Sequence, residues 1–220
     1  MKFQRIPKDF LQSIHSGSRN IPTLYFHPNS LVRELFYKRL ETICELMPDD
    51  SEKQNQIICD FGGGGGVFLP TLSKSFREVV VLDVETHEAE EIVKRYGLTN
   101  VDIVPGDALS NSFSDSYFDI VVAADVLEHF KDLRKPIKEI RRLLKDSGLL
   151  FISSPTENLI YRLGRLLADI KKPPDHYHNA GEIEQVLRKE PFIIIKKLFL
   201  PVNLSILGLF SILKAEKEIS

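Results

Sequence analysis

Cysteine is nearly absent from this chain. Only Cys44 and Cys59 occur among its 220 residues, and neither belongs to a C-x-x-C pair. That excludes a disulfide framework or a cysteine-based metal centre and leads us to expect a reducing, cytoplasmic setting. Long apolar runs are missing as well. No stretch of about 20 uninterrupted apolar residues is available to span a bilayer, and the opening segment MKFQRIPKDF has no apolar core of the kind a secretion signal needs. Nor is there an excess of one charge: 29 basic against 31 acidic residues leave a net charge of -2. This balance argues against a protein that coats nucleic acid and favours a small-molecule partner, with contact at a membrane surface left open. Internal repeats and low-complexity tracts are absent too. What remains is a chain with 43% hydrophobic residues, enough to bury one substantial core.

The most informative segment is Cys59 to Val67, CDFGGGGGV, which places Asp60, Gly62, Gly64 and Gly66 in the spacing DxGxGxG. Ile57 and Ile58 read as a buried strand. The glycines that follow remove every Cβ where the chain turns and where a ligand approaches the backbone. Val67 to Phe76 suits a helix whose first N–H groups face the same crevice. A dinucleotide fingerprint G-x-G-x-x-G fails in every frame, because its third glycine falls on Val67, Phe68 or Leu69; this disfavours a nicotinamide dehydrogenase. A phosphate loop fails for want of its lysine.

Strands and helices alternate from there. Val79 to Val84, Val101 to Val104, Asp119 to Ala124 and Leu149 to Ser153 read as strands, with helical patterns over Glu88 to Tyr96 and Leu133 to Leu144. Such alternation predicts a parallel sheet with helices on both faces and ligands at the carboxyl ends of the strands. Before the sheet, Leu31, Leu35, Leu40, Ile43 and Met47 recur at helical spacing, with Glu34 and Lys38 placed as an i,i+4 pair. Residues 1–30 read as an N-terminal arm or lid, and 31–220 as a single domain in which 156–179 form a substrate-side insertion. In that insertion Leu159, Leu163, Leu166, Leu167 and Ile170 form a stripe beside Arg162, Arg165, Lys171 and Lys172, whose charges are expected in solvent. A further short helix is expected over Glu182 to Leu187. Two closing runs, Phe192 to Leu200 and Leu207 to Leu213, suit a pair of strands.

Together, CDFGGGGGVFLP, VVVLDVE, GDALSNSFSDSYFDIVVAADVLEHF and EIRRLLKDSGLLFIS resemble the class I S-adenosylmethionine-dependent methyltransferases, in particular their small-molecule branch, over residues 57–154. The resemblance implies a Rossmann-like three-layer sandwich of seven mostly parallel strands in the order 3-2-1-4-5-7-6, with strand 7 antiparallel. It implies S-adenosyl-L-methionine as cofactor and S-adenosyl-L-homocysteine as product. By the same resemblance Asp60, Gly62, Gly64 and Gly66 form the loop around the methionine moiety, and Asp83, with Glu85 as a second candidate, accepts hydrogen bonds from the ribose. Asp107 and Ala108 face the adenine, and Asp125 and Val126 lie near the methyl group.

The expected activity is methyl transfer to oxygen or carbon of a small molecule; the alternative is a non-catalytic cofactor-binding regulator or partner subunit. The fourth-strand end reads AADVLEH and lacks the Asn/Asp-Pro-Pro-Tyr/Phe signature that similar enzymes use for planar amino groups. His129, His176 and His178 are the candidate general bases, since a hydroxyl acceptor must lose a proton. No metal is expected: His176 and His178, two apart, point to opposite sides of an extended backbone. The arm, with Tyr25, Phe26 and His27, and the insertion are the acceptor-binding candidates.

Overall fold

Within each central strand, alternate residues serve opposite faces of the sheet, as a pleated backbone requires. In a computed structural model describing residues 1–15, 17, 20–167 and 175–219, strand β1 (Ile57–Phe61) directs Ile58 into one core and Ile57, Cys59 and Phe61 into the other. β2 (Glu78–Asp83) divides Val79 and Val81 from Val80 and Leu82 in the same way, and β4 (Phe118–Ala124) divides Ile120 and Val122 from Val121 and Ala123. These strands are apolar on both sides because helices cover both faces.

With β3 (Val101–Pro105), β5 (Leu144–Pro155), β6 (Phe192–Leu200) and β7 (Phe210–Lys217), the sheet runs β3-β2-β1-β4-β5-β7-β6. β7 is antiparallel to both of its neighbours, and the other pairs are parallel. This is the expected strand order. The order in which strands are added reverses at β1, with β2 on one side and β4 on the other, which leaves a crevice at their carboxyl ends.

The helices are α1 (Lys8–Ile14), α2 (Ser30–Leu46), α3 (Asp50–Lys53), α4 (Leu69–Leu72), α5 (His87–Tyr96), α6 (Arg134–Leu143), α7 (Leu159–Leu167) and α8 (Ala180–Leu187). α2 and α5 cover one face, and α6 and α8 the other. The arm is part of the first core: Ile6, Leu11, Ile21 and Tyr25 are buried in it. No described helix is long and apolar enough to cross a membrane.

Several elements differ from the sequence reading. Of Val67 to Phe76 only one helical turn forms, opening at Leu69 and Pro70. Asn100 caps its exit by donating from Nδ2 to the carbonyls of Ser73 and Phe76, both at 2.9 Å. Glu34 and Lys38 do not pair with each other. The planar fork of Arg5 takes both Glu34 oxygens, at 2.6 and 2.8 Å, and Lys38 pairs with Glu45 at 2.8 Å. β7 starts at Phe210 rather than Leu207, because Leu207 and Gly208 both donate to the Leu204 carbonyl in a turn. The stripe of the insertion is helical through Leu167, and its continuation over Ile170, Lys171 and Lys172 lies outside the described residues.

Candidate functional site

A cavity of about 1100 Å³ opens at the carboxyl ends of the central strands. Its floor is the glycine loop. Gly62, Gly64 and Gly66 all have positive φ, at 68°, 53° and 74°. At Gly62 a Cβ would also stand 2.2 Å from a methyl of Val126, so the turn excludes any larger residue on two counts. The two intervening glycines are fixed by packing: a Cβ on Gly63 would lie 2.7 Å from Asp60 Oδ2, and one on Gly65 would lie 2.1 Å from Ile21. Asp83, at the end of β2, accepts from the Gly64 N–H at 2.7 Å through Oδ2 and from the Glu85 N–H at 3.1 Å through Oδ1. Each carboxylate oxygen keeps a second lone pair for a ligand in the cavity. From the other side, the Asn20 carbonyl accepts from Gly65 N–H at 2.9 Å, so the arm straps the loop down.

Asp60 is buried beneath this loop. Burial first, and the charge of Asp83 second, push its carboxyl up to about 7. Asp107 lines the cavity and its side chain accepts from the Leu109 N–H at 2.9 Å, capping the turn that carries the buried Ala108. Glu85 is exposed and absent from the cavity wall, with its carbonyl taken by Asn20 Nδ2 at 3.0 Å. Asp83 is therefore the β2 carboxylate that faces the site.

Asp125 follows β4 with φ at 54°. Its N–H donates to the Ser153 carbonyl at 2.8 Å, its Oδ1 accepts from Ser153 Oγ at 3.1 Å, and its Oδ2 forms an ion pair with Arg39. Arg39 reaches in from α2, only 1% exposed, with its guanidinium over the Phe36 ring at 3.4 Å and its Nε donating to the Phe36 carbonyl at 2.9 Å. Beyond it lies Glu128, also 1% exposed, and neither carboxyl oxygen meets a hydrogen-bond partner among the described side chains. Burial raises this carboxyl to about 8, opposed first by its own backbone N–H and then by the charge of Arg39. His129 Nδ1 stands 3.1 Å from Asp175 Oδ2, and the His129 ring meets the His176 ring edge-on with centroids 4.8 Å apart.

Residues 59–152 match the family model described as a methyltransferase domain. Over that segment, and in the order of its strands, the chain is similar to the class I S-adenosylmethionine-dependent methyltransferases. It is 29% identical over 127 residues to a 2-methyl-6-phytyl-1,4-hydroquinone methyltransferase of Spinacia oleracea, covering 57% of this chain and 37% of that one. It is 25% identical over 181 residues to a Mycobacterium tuberculosis protein named a probable S-adenosylmethionine-dependent methyltransferase, covering 81% and 61%. The chain thus spans less than two thirds of the length of either relative. In fold it is similar to the N-methyltransferase NodS of Bradyrhizobium japonicum in complex with S-adenosyl-L-homocysteine, with TM-score 0.65, 16% identity and coverage of 96% and 97%.

The cavity fits S-adenosylmethionine, the cofactor of the proteins this chain resembles. The ammonium and sulfonium of S-adenosylmethionine are cations, and the buried Asp60 and the half-buried Asp83 supply the matching charge beside a floor free of side chains. Of the residues expected from sequence, Asp60, Gly62, Gly64, Asp83, Asp107, Ala108, Asp125, Val126, His129 and His176 all line one cavity, whereas Gly66 stands behind it against Leu69 and Ala89. His178 does not reach it. Its Nε2 lies 3.3 Å from the Lys131 carbonyl and its Nδ1 3.5 Å from Glu182, which makes it a loop anchor. Tyr25 and His27 line the wall and Phe26 does not.

Arg165, expected in solvent, turns inward and pairs with Glu157 at 2.9 Å. Arg39 has no counterpart in the sequence reading, although a signal existed: it stands between Phe36, Leu40 and Ile43 on the apolar stripe of α2, where a charge needs a buried partner.

Two outcomes are expected. Arg39→Met takes the counter-charge from the half-buried Asp125 and should destabilise the fold by about 1–3 kcal/mol; chemical denaturation measures it, and Asp125→Asn in the same chain should recover part of the loss. Asp60 gives a pH dependence. The unfolded chain releases this proton near the ordinary 3.8 and the folded chain only near 7. Between those values the folded form binds the extra proton, so this group lowers stability as pH rises, by roughly 4 kcal/mol at the upper end. The stability of Asp60→Asn relative to the unsubstituted protein, both free of cofactor, should therefore rise from pH 4.5 to 7.5 and then level off. A constant difference would show that Asp60 ionises normally.

Proposed function

We propose that this chain transfers a methyl group from S-adenosylmethionine to an oxygen or carbon atom of a small apolar acceptor. The observation that carries the reading is the continuity of one cavity from the glycine loop and Asp83 to a wall of aromatic side chains, Tyr25, Phe36, Tyr161 and Phe210. Bound S-adenosylmethionine supplies a methyl group activated on a sulfonium, so that displacement needs no covalent intermediate on the protein. In this reading the Asp60 and Asp83 carboxylates hold the cationic and ribose parts, Asp107 and Ala108 the base, and Asp125 and Val126 the region of the methyl group. The rings on the opposite wall exclude water and orient an apolar acceptor. Positioning of this kind accounts for up to roughly 7–11 kcal/mol of barrier lowering.

An acceptor with a phenolic ring agrees with that wall, and the hydroquinone named for the spinach relative is one such compound. We extend the proposal to delivery from a membrane surface. Leu159, Leu163 and Leu166 of α7 are exposed, and so are Leu204 and Ile206. The two groups are tied together where Asn158 Nδ2 donates to the carbonyls of Ile206 and Gly208. The two cysteines, free and buried, agree with a reducing cytoplasmic location.

Incubation with a panel of apolar phenols and labelled cofactor should yield S-adenosylhomocysteine and a product heavier by one methylene. Asp83→Ala should weaken cofactor binding by at least tenfold, about 1.4 kcal/mol, in calorimetric titration. Binding with no product across acceptor classes would favour the non-catalytic alternative, and no binding would remove the assignment. The protein should also sediment with phospholipid vesicles, and Leu163→Glu combined with Ile206→Glu should abolish this.

A further inference from the structure

The acceptor end of the cavity holds three potential donors that the cofactor does not use. Glu128, His129 and His176 offer one ligand atom each, and these atoms lie within 4.8 Å of one another. They come from two places in the chain. Glu128 and His129 sit on the single 3₁₀ turn after β4, and His176 belongs to the insertion before α8. The backbone joins the two segments there, because the Tyr177 N–H donates to the Glu128 carbonyl at 2.8 Å.

Each imidazole turns its Nδ1 toward a carboxylate. For His129 this is Asp175 Oδ2 at 3.1 Å, and for His176 it is Glu157 Oε1 at 3.8 Å. The hydrogen-bonded carboxylate at His129 retains the proton on Nδ1 and leaves the Nε2 lone pair to the opposite side of the ring, the arrangement by which metal-bound histidines are oriented; at 3.8 Å Glu157 is a charged neighbour of His176 rather than a hydrogen-bond partner. Glu128 supplies the second, independent sign. It is a carboxyl group 1% exposed, on the cavity wall, with no hydrogen-bond partner for either oxygen among the described side chains. Buried polar groups without a partner are costly and uncommon, and a cation would satisfy both oxygens at once.

We propose that Glu128, His129 and His176 form a binding site for one divalent transition-metal ion of the zinc type, with Asp175 orienting the His129 imidazole. Two nitrogens and one carboxylate suit zinc, cobalt or nickel and disfavour magnesium and calcium, which prefer all-oxygen shells. Tetrahedral donors at ordinary zinc distances stand about 3.3 Å apart. The donor spread of 4.8 Å must therefore close by about 1.5 Å when the ion enters. All three donors line the cavity, so the remaining position opens toward the acceptor. A hydroxyl held there ionises at lower pH, with its proton passing to solvent, and needs no protein base.

The test needs neither cofactor nor acceptor, so its failure is distinct from failure of the methyl-transfer reading. Protein stripped with a chelator and titrated calorimetrically with zinc chloride should bind one equivalent and gain melting temperature. Cobalt should give the visible bands of a tetrahedral nitrogen and oxygen site, with two paramagnetically shifted, exchangeable imidazole N–H resonances from the Nδ1 protons. Glu128→Gln, His129→Ala and His176→Ala should each weaken zinc binding at least tenfold while remaining folded by circular dichroism, and His178→Ala should not. Absence of stoichiometric binding to the unsubstituted protein would overturn the proposal. So would affinity unchanged in the three variants, or a cobalt spectrum lacking the two imidazole signals.

Discussion

The ion pair between Arg39 and Asp125 holds the two halves of this site in register. Asp125 ends β4, and its backbone lies in the left-handed region, which costs free energy for a residue with a side chain. That conformation persists because Ser153 binds it through both backbone and hydroxyl, and because Arg39 grips its free oxygen from α2. Arg39 is in turn fixed between the Phe36 and Phe210 rings, so helix α2 and strand β7, far apart in sequence, converge on one carboxylate. The position of Val126, and with it the close packing over Gly62, follows from this clamp.

The charges in the cavity do not balance. Asp60, Asp83, Asp107, Asp125, Glu128 and Asp175 line it, and the guanidiniums of Arg39 and Arg165 are opposed to them, with Glu157 already engaged by Arg165. Burial first, and neighbouring carboxylates to a smaller degree, make Asp60 and Glu128 weaker acids in the free protein, where both carboxyls are driven toward the neutral form. A cavity of this kind selects cationic occupants. It also gains stability on binding them, because each removes a desolvation cost already present in the fold. Asp60 and Glu128 lie at opposite parts of the wall, one under the glycine loop and one beyond Arg39, so a single cation does not serve both.

The cofactor half of the site was legible in the sequence because backbone geometry writes it. A turn with alternating positive φ, closed over a buried carboxylate, admits glycine and little else, so Gly62 to Gly66 and Asp60 stand out without any knowledge of the fold. Asp83 follows from its place after four apolar strand residues. The alternation of strands and helices made the parallel, two-sided sheet equally legible, and the resemblance to a known family implied its strand order. The errors lie where a tertiary partner decides: Glu34 pairs with Arg5 rather than Lys38, and α4 stops after one turn. Glu85 is displaced from the wall because its segment is held by Asn20.

The acceptor half was legible only by segment, the arm and the insertion, and not as an arrangement of side chains, and the reason is geometric. Its wall gathers Tyr25 from the arm, Arg39 from α2, Glu128 and His129 after β4, Tyr161 and Arg165 from α7, and Asp175 and His176 from the end of the insertion. No periodic pattern links these separate segments, and each residue has an ordinary reading in isolation: a charge on a helix, a cap, a loop histidine. His176 illustrates the point. Paired in sequence with His178, it suggests two rings on opposite sides of an extended strand; paired in space with His129, it completes a cluster whose members are 47 residues apart. Specificity for the acceptor therefore resides in loops whose convergence the sheet permits but does not encode, so chains with the same glycine turn can share a cofactor and differ in what they bind on the opposite wall.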